Sequence, residues 1–566
     1  MSHRIMRHIS LFLFAVAFPF APAFSQNADT IFFGGTILTM DPEQPRAEAL
    51  AVRGGRIVSV GDEFSIWRFE RSKTKSVDLK GGVLMPGFIE PHTHPAASAS
   101  LYTWVDISGF TNGSQEEVLD KLRDAAANTK PGEWILAFGF DPILIPDLEG
   151  LTADKLDAIS TEHPIFVMLQ SMHTFYVNHK AFELAGITDD TPQPGGGGEF
   201  IKDADGRLTG VLREAPAAAR FVMIQGFPSR DESLDLMNAQ FDRYIRAGIT
   251  TIGVPGLIPG FIPNAAKVIK DLTDAEDAKL RVRTYAARAI GDAKPSRTID
   301  PVARFAELGV KYWYDGSPYT GTMFLDDPYL DSNLMQQKLG IPAGTSGYSM
   351  FTPPVFADML KSAHVADIQI SVHTQGDRST REVVDAFARL LKETPRTDHR
   401  HRLEHLALAE SDDLKRAAAL GLTTSFHVNH VYYYGRALRD GIVGPERAER
   451  LMPVGDALRH GHRVTFHTDS PMYPPNPLLT ARTAVTRMTR EGDVIGKGQA
   501  ISVDDALRAI TINAAWQLFM EKEVGSIAEG KQADLVWLEK DPYTVPVEDL
   551  HSIRIQGTWV SGRPTT

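Results

Sequence analysis

The sequence contains no cysteine among its 566 residues. This absence excludes disulfide bonds, thiolate metal ligands and a cysteine nucleophile. Any metal ion would have to be bound by histidine, by a carboxylate or by a modified lysine. The absence says nothing about cellular compartment, because exported proteins do not require disulfides.

Basic clusters are also lacking. The chain has 59 lysine and arginine residues against 71 aspartate and glutamate residues, a net charge of −12. We therefore expect a solvated acidic surface and no nucleic-acid partner. A small-molecule substrate is the partner that the rest of the sequence indicates, and a homo-oligomer is compatible with it.

Residues 1–25 have the form of a secretory signal. Arg4 and Arg7 precede an apolar run at 9–20, and the small residues Ala23 and Ser25 follow it. The run is shorter than the roughly 20 residues that span a membrane, and no later stretch is long and apolar enough. We predict export to the periplasm or the medium, with no membrane association after signal removal.

Both ends of the mature chain are rich in strand patterns. Short apolar runs separated by Gly-Gly and Asp-Pro turns fill 26–85, and two more strand patterns fall within 521–566. Because these two terminal segments could pair, we predict that they form one small β-sandwich domain.

Between the ends, short apolar strands alternate with amphipathic helices. This rhythm is typical of a parallel sheet, and the number of units favours a closed barrel. We predict an α/β fold in which 86–520 form a (β/α)8 TIM barrel with an insertion at about 140–230. The strands predicted in this rhythm include 134–138 and 164–169, and 301–308 is predicted to be helical.

His92 and His94 follow the apolar run 83–89. In an extended strand, residues i and i+2 point to the same face, so both imidazoles would lie on one side. Such a pair makes half of a metal site. An isolated His-x-His also occurs in ordinary loops. The residues at the other strand ends must therefore show whether this pair belongs to a metal site.

Polar side chains follow several other predicted strands. In a parallel barrel the carboxyl ends of the strands meet at one face, where catalytic groups lie. One such lysine would normally be a surface residue, and one such histidine a structural one. Several on one barrel indicate a shared site, and besides the first pair they are Lys311, His373, His405 and Asp469.

This set resembles the amidohydrolase superfamily of metal-dependent hydrolases, and within it the YtcJ-like (amidohydrolase 3) group. The matching motifs are PGFIEPHTH at 86–94, VKYWYDGS at 310–317, VHTQGDR at 372–378, HRLEH at 401–405 and HTDSP at 467–471. The resemblance spans nearly the whole mature chain. It implies a (β/α)8 barrel with a β-sandwich from both termini, in agreement with the strand pattern.

The resemblance also implies two divalent metal ions bridged by a carboxylated Lys311. An ammonium group has no acceptor, whereas a CO2-derived carbamate supplies oxygen ligands, and a desolvated lysine loses its proton readily. Histidine nitrogen and carboxylate oxygen suit Zn²⁺, and manganese, iron or cobalt would also fit. The implied ligands are His92, His94 and Asp469 for the first metal and His373 and His405 for the second.

The implied reaction is hydrolysis of a C–N amide-type bond by a metal-bridging hydroxide. Asp469 would move a proton from the nucleophile to the leaving nitrogen. Aromatic residues near the predicted strand ends favour a small N-substituted substrate with a hydrophobic or aromatic part. The residues proposed to contact the substrate or the ligands are His173, Glu214, Trp313, Tyr319 and Arg378.

Other functions stay open on the same residues. A cyclic-amide, lactone or ester hydrolase would use the same metals, and so would an isomerase or decarboxylase of the superfamily. An exported regulatory or binding protein without turnover is a further alternative, which the complete ligand set disfavours. Two departures from the usual pattern are Glu90 before the histidine pair and His467-Thr468 before the aspartate.

Overall fold

The computed structural model describes residues 27–195, 197–287 and 300–565. The predicted secretory signal at 1–25 lies outside these ranges. No helix within them combines the length and the apolar character that crossing a membrane requires.

Eight parallel strands form the central sheet, and each pairs with its neighbour in chain order. The strand interiors are buried, as expected for a parallel sheet covered on its outside by helices. The strands are β1 (Phe88–Glu90), β2 (Ile249–Pro255), β3 (Arg281–Ala287), β4 (Phe305–Trp313), β5 (Gln369–Thr374), β6 (Arg402–His405), β7 (Thr423–Phe426) and β8 (Thr465–Phe466).

The segment after β8 lies against the segment after β1, which brings the sheet close to a closed barrel. The backbone N–H and the hydroxyl of Thr468 each donate to the Glu90 carboxylate at 3.0 Å. The backbone N–H of His94 donates to the Ser470 carbonyl at 2.9 Å. The predicted barrel is confirmed, and its first and last strands carry the motifs that opened and closed the predicted site.

The predicted helix at 301–308 is wrong, because β4 begins at Phe305. Ala306, Leu308 and Val310 are buried while the residues between them are less so, which is the period of a strand. Phe305 pairs with Val282 of β3, and Gly309 pairs with Gln369 of β5. Pairing of β4 with β3 and with β5 therefore outweighs the local sequence pattern that predicted a helix.

Amphipathic helices surround the barrel. In Asp377–Glu393, for example, Val383, Phe387 and Leu390 lie on one buried face at helical spacing. The helices that follow the insertion are Arg230–Arg246, Ala265–Asp274, Pro353–Val365, Asp377–Glu393, Ser411–Ala419, Asn429–Ala437, Pro445–Ala448, Val454–Arg459, Pro477–Thr486, Val503–Ala509 and Ile512–Gln517.

A six-stranded mixed sheet is inserted between β1 and β2. In spatial order its strands are Glu199–Lys202, Leu208–Arg213, Thr174–Val177, Ile165–Leu169, Ile135–Phe140 and Val105–Asp106. The helices of this part of the chain are Pro95–Leu101, Gln115–Asn128, Ala153–Asp157, His179–Ala185 and Glu214–Gln225.

The predicted insertion at about 140–230 is therefore too short, since its sheet begins at Val105. The strands Ile135–Phe140 and Ile165–Leu169 belong to the inserted sheet and not to the barrel. They are apolar and pair in parallel, so their sequences look like those of barrel strands.

The two chain ends form a β-sandwich, as predicted. Strands Arg56–Gly61, Ala49–Arg53, Thr30–Phe33 and Lys75–Asp78 make one sheet. The other sheet contains Arg563–Pro564, Ile555–Val560, Leu535–Leu538, Val83–Pro86, Thr36–Leu38 and Arg46–Ala47. The rings of Phe32 and Trp559 meet between the sheets, with centroids 5.1 Å apart.

Candidate active site

Three predicted ligands meet at the carboxyl ends of β1 and β8. The Nε2 atoms of His94 and His92 lie 3.1 Å and 3.4 Å from Asp469 Oδ1. One donor atom from each of the three residues lies within 4.8 Å of the others, and the residues are largely buried. The set predicted for the first metal is thus brought together.

The two histidines are held in the orientation that metal ligation needs. His92 Nδ1 lies 2.8 Å from Glu404 Oε2, and His94 Nδ1 lies 3.0 Å from the Gly256 carbonyl. A carboxylate and a carbonyl accept, so each Nδ1 carries the hydrogen and each Nε2 keeps a lone pair towards Asp469.

Glu404 is a positioning residue to which sequence reasoning assigned no role. Its carboxylate lies 2.6 Å from Arg402 Nε and accepts from the Ser371 hydroxyl at 2.8 Å, and all three side chains are fully buried. The signal that could have revealed it is an Arg-x-Glu pair in a strand predicted to be buried, where charged side chains occur only with partners.

Asp469 supplies the carboxylate of this donor set. Burial raises the pKa of this carboxyl, whereas His94, His427 and His467 lower it when their imidazoles are protonated. Its Oδ1 atom has no hydrogen-bond partner within the described ranges. A buried and unpartnered oxygen beside two imidazole lone pairs fits a divalent cation.

Lys311 on β4 is fully buried, and its Nζ has no hydrogen-bond partner in the described part of the chain. Burial lowers the pKa of this amine to about 8. An unpartnered buried ammonium is costly, and the amine is more easily neutral here than in water. Both features fit the predicted carboxylated lysine, which stays a prediction.

The set predicted for the second metal is less complete. His405 Nδ1 lies 3.9 Å from Asp469 Oδ2, and the His373 ring lies 4.3 Å from that of His405, centroid to centroid. His373 Nε2 lies 3.2 Å from the Gly316 carbonyl. Among the residues that the structure describes, His373 joins no group of three histidine or carboxylate donors within 4.8 Å.

His427 lies where His373 was expected. Its Nδ1 is 4.0 Å from Asp469 Oδ2, and it forms a compact donor group with His405 and Asp469. Its Nε2 donates to the Thr468 carbonyl at 3.0 Å, which leaves Nδ1 with a lone pair. Sequence reasoning missed His427, although it directly follows β7 as His467 directly follows β8.

His467, one of the two departures in sequence, supports its neighbours. Its Nε2 lies 3.1 Å from His405 Nδ1, its Nδ1 lies 2.9 Å from the Ser425 hydroxyl, and its ring stacks on His92 with centroids 4.6 Å apart. Glu90, the other departure, ties β1 to Thr468, and burial raises the pKa of its carboxyl to about 8.

A cavity of about 820 Å³ lies above these residues. The insertion supplies much of its wall, and its floor includes His92, His94, His373, His405, His427, Lys311 and Asp469. The wall is mainly apolar and contains Trp104, Leu136, Met168, Phe175, Val222, Phe227, Phe261 and Met472.

The five residues predicted to contact the substrate or the ligands are not all in this cavity. Trp313, Tyr319 and His173 line it, and Glu214 accepts a hydrogen bond from His173, with Nδ1 and Oε2 3.0 Å apart. Arg378 lies elsewhere: its Nε donates to Glu382 at 3.2 Å and its guanidinium stacks on Phe324. A role for Arg378 in substrate binding is therefore not supported.

A parallel barrel with buried histidines and a carboxylate at the ends of its strands defines a class of metal-dependent hydrolases. The model of the amidohydrolase family matches residues 75–566, and the chain belongs to this family, in its amidohydrolase 3 group. The histidine clusters are consistent with metal binding.

Similarity to known relatives extends along the whole chain. An N-substituted formamide deformylase of Arthrobacter pascens is 26% identical over 557 residues, covering 95% of this chain and 98% of that protein. YtcJ of Bacillus subtilis is 24% identical over 553 residues, with coverage of 94% and 98%.

A solved structure shares the fold. The uncharacterized metal-dependent hydrolase from Pyrococcus horikoshii superimposes with a TM-score of 0.69 at 22% identity, covering 92% of this chain and 99% of that one. The resemblance found in the sequence motifs is confirmed.

Proposed function

We propose that the protein hydrolyses the C–N bond of a small N-substituted amide, and that a formamide with an apolar or aromatic N-substituent is its preferred substrate. This proposal is supported mainly by one observation: histidine and carboxylate donors line the same cavity as a mainly apolar wall. The similarity to a formamide deformylase supports the choice of a formyl group.

Divalent metal would be held by His92 Nε2, His94 Nε2 and Asp469. When bound, it would supply an activated water and polarise the amide carbonyl. A second metal, with Lys311 as a carbamate, is part of the proposal. It is supported by the buried, unpartnered Nζ of Lys311 and by the closeness of His405 and His427 to Asp469 Oδ2.

Asp469 is the proton carrier in this proposal. The Oδ1 atom of its carboxylate accepts no hydrogen bond from any described residue, so a lone pair is available there. It can therefore take a proton from the attacking water and deliver it to the leaving nitrogen, which departs as an amine.

The cavity offers separate places for the formyl group and for the N-substituent of the substrate. A formyl group needs little room beside the histidines, while about 820 Å³ is within the range of pockets that hold drug-sized ligands. An aryl or alkyl N-substituent would displace water from the apolar wall, which favours binding by burial of apolar surface.

The test is a panel of amides offered to zinc-loaded protein, with formate and amine measured as products. N-Benzylformamide should be hydrolysed faster than N-benzylacetamide, and both faster than a cyclic imide or a lactone. Asp469→Asn should abolish turnover. Faster hydrolysis of the cyclic imide or the lactone would replace the proposed substrate class, and no turnover of any compound would favour a binding or regulatory protein.

A further inference from the structure

Three aromatic side chains form a hydrogen-bonded group at the cavity: Tyr319, His430 and Tyr473. The hydroxyl oxygens of both tyrosines lie 2.6 Å from His430 Nδ1. All three side chains are buried. Tyr319 was predicted to contact the substrate or the ligands, and in the structure its hydroxyl hydrogen-bonds to His430.

The tyrosine contacts indicate the position of the imidazole hydrogen. Both hydroxyl oxygens lie within hydrogen-bond distance of Nδ1, and a phenol O–H can donate to this nitrogen only when Nδ1 keeps its lone pair. A phenol O–H is a stronger donor than an imidazole N–H, and an imidazole nitrogen is a stronger acceptor than a phenol oxygen. Donation from a tyrosine O–H to Nδ1 is therefore the favoured arrangement.

The imidazole hydrogen therefore resides on Nε2, and this N–H has no partner. His430 Nε2 is buried without a hydrogen bond to any described residue, although His430 lines the cavity. The His427 ring lies 4.2 Å from it, centroid to centroid.

Other unpartnered polar atoms gather at the same cavity: Lys311 Nζ, Asp469 Oδ1 and Gln375 Oε1. Burying unsatisfied polar groups is costly, so a cluster of them on one cavity indicates a place where a bound molecule completes the hydrogen bonding. An N–H cannot ligate a metal, which separates His430 from the neighbouring histidines.

We propose that His430 donates a hydrogen bond from Nε2 to the acyl oxygen of the substrate, and that Tyr319 and Tyr473 are positioning residues that fix its tautomer. This inference rests on the proposed amide hydrolysis. Negative charge develops on the acyl oxygen as water adds to the carbonyl, so the hydrogen bond strengthens towards the transition state. Its loss should lower kcat more than it raises KM.

The first test needs no substrate. Protein labelled with ¹⁵N-histidine and loaded with zinc is examined by NMR, and the His430 signals are assigned by their loss in His430→Gln. We expect Nδ1 to show the shift of an acceptor nitrogen and Nε2 that of a protonated one. The opposite tautomer, or a mixture of both, would overturn the proposal even if no amide in the panel were hydrolysed.

The second test distinguishes loss of the His430 N–H donor from a change in side-chain packing. His430→Leu removes the N–H, whereas His430→Gln retains a donor of similar reach. We expect about a 10²–10³-fold fall in kcat for leucine, the effect of losing one oxyanion donor, and a much smaller fall for glutamine. Equal losses in both variants, with unchanged circular dichroism, would reduce His430 to a structural residue.

The tyrosines are tested together. Either single phenylalanine variant leaves one hydroxyl to donate to Nδ1, so Tyr319→Phe and Tyr473→Phe should each retain most of kcat, while the double variant loses it and shows mixed tautomers. Tyr329→Phe is the control, because its buried hydroxyl donates to the Met323 carbonyl at 2.8 Å and it does not line the cavity. A double variant with wild-type kcat and a single tautomer would contradict the positioning role.

Discussion

Glu404 shows how one buried residue supports the whole donor set. Its carboxylate accepts hydrogen bonds from His92 Nδ1 and from the Ser371 hydroxyl, each at 2.8 Å. The same carboxylate forms an ion pair with Arg402 Nε at 2.6 Å. Removing its charge would release the His92 ring and leave the Arg402 guanidinium without its buried counter-ion.

We expect Glu404→Gln to weaken zinc affinity about 10–100-fold, as is typical for partners of ligating histidines. We also expect it to lower the free energy of unfolding by about 3–5 kcal/mol, the usual cost of breaking a buried ion pair. Zinc competition titration and urea unfolding measure the two effects. Glu393→Gln, which removes an exposed partner of Arg389 and Lys361, is the control, and equal zinc affinity in both variants would contradict the role of Glu404.

A second group of histidines predicts how stability depends on pH. His399 and His401 are buried outside the active site, and the backbone N–H of Ile370 donates to His401 Nδ1 at 3.0 Å. Burial lowers the pKa of His399 to about 4 and that of His401 well below its ordinary value.

The unfolded chain binds protons at these histidines below about pH 6.5, whereas in the folded chain His399 does so only near pH 4. Stability therefore falls as pH drops through this window, by up to about 3 kcal/mol from His399 alone. Urea unfolding at pH 7 and pH 4.5 should show a smaller pH effect in His399→Gln. The exposed His179→Gln should leave the effect unchanged, and an identical effect in all three proteins would refute the explanation.

At the scale of elements, the helix Glu214–Gln225 connects the inserted sheet to the cavity. Ala218 and Val222 lie one turn apart and both line the cavity wall, while Arg220 on another face is exposed. The helix thus forms part of the cavity wall although it contributes no predicted catalytic group.

Val222→Asp should raise KM for an aryl formamide by about 10–200-fold, because a carboxylate on the apolar wall opposes burial of the N-substituent. The value of kcat should change little, since the floor residues are intact. Steady-state kinetics with N-benzylformamide measures both constants, with Arg220→Gln as the control. A fall in kcat at constant KM would place the helix in the chemical step instead.

Some parts of the fold and of the site could be predicted from the sequence better than others. His92, His94 and Asp469 could be predicted because barrel strands place the residues after them on one face. The inserted strands Ile135–Phe140 and Ile165–Leu169 could not be separated from barrel strands, because they too are apolar and parallel. The hydrogen-bonding roles of His430 and Glu404 depend on contacts between distant segments, which no local pattern records.

At the scale of the whole molecule, the two chain ends are fastened to the barrel by a buried ion pair. Arg281 at the start of β3 donates to Asp534 at 2.7 Å, and Asp534 precedes the strand Leu535–Leu538 of the sandwich. That strand pairs with Val83–Pro86, which leads directly into β1 and its two histidines. The sandwich thus anchors β1, the strand that precedes His92 and His94.

Asp534→Ala should lower the free energy of unfolding by about 3–5 kcal/mol, because it leaves Arg281 buried without its counter-ion. Since Asp534 does not line the cavity, KM at 25 °C should stay within about two-fold of wild type. Asp541→Ala, which breaks the more exposed pair with Arg46, should cost about 1 kcal/mol or less. Equal losses of stability in the two variants would contradict the anchoring role.

The central claim is that the histidine–carboxylate cluster hydrolyses an amide with the help of bound metal. The most direct measurement is the rate of formate release from N-benzylformamide as zinc is returned to metal-depleted protein. The predicted result is negligible release without zinc and a rate that rises in proportion to the zinc bound, with no such rise in His94→Ala. A metal-depleted protein that keeps its full rate, or a folded zinc-loaded protein that releases no formate, would contradict the claim.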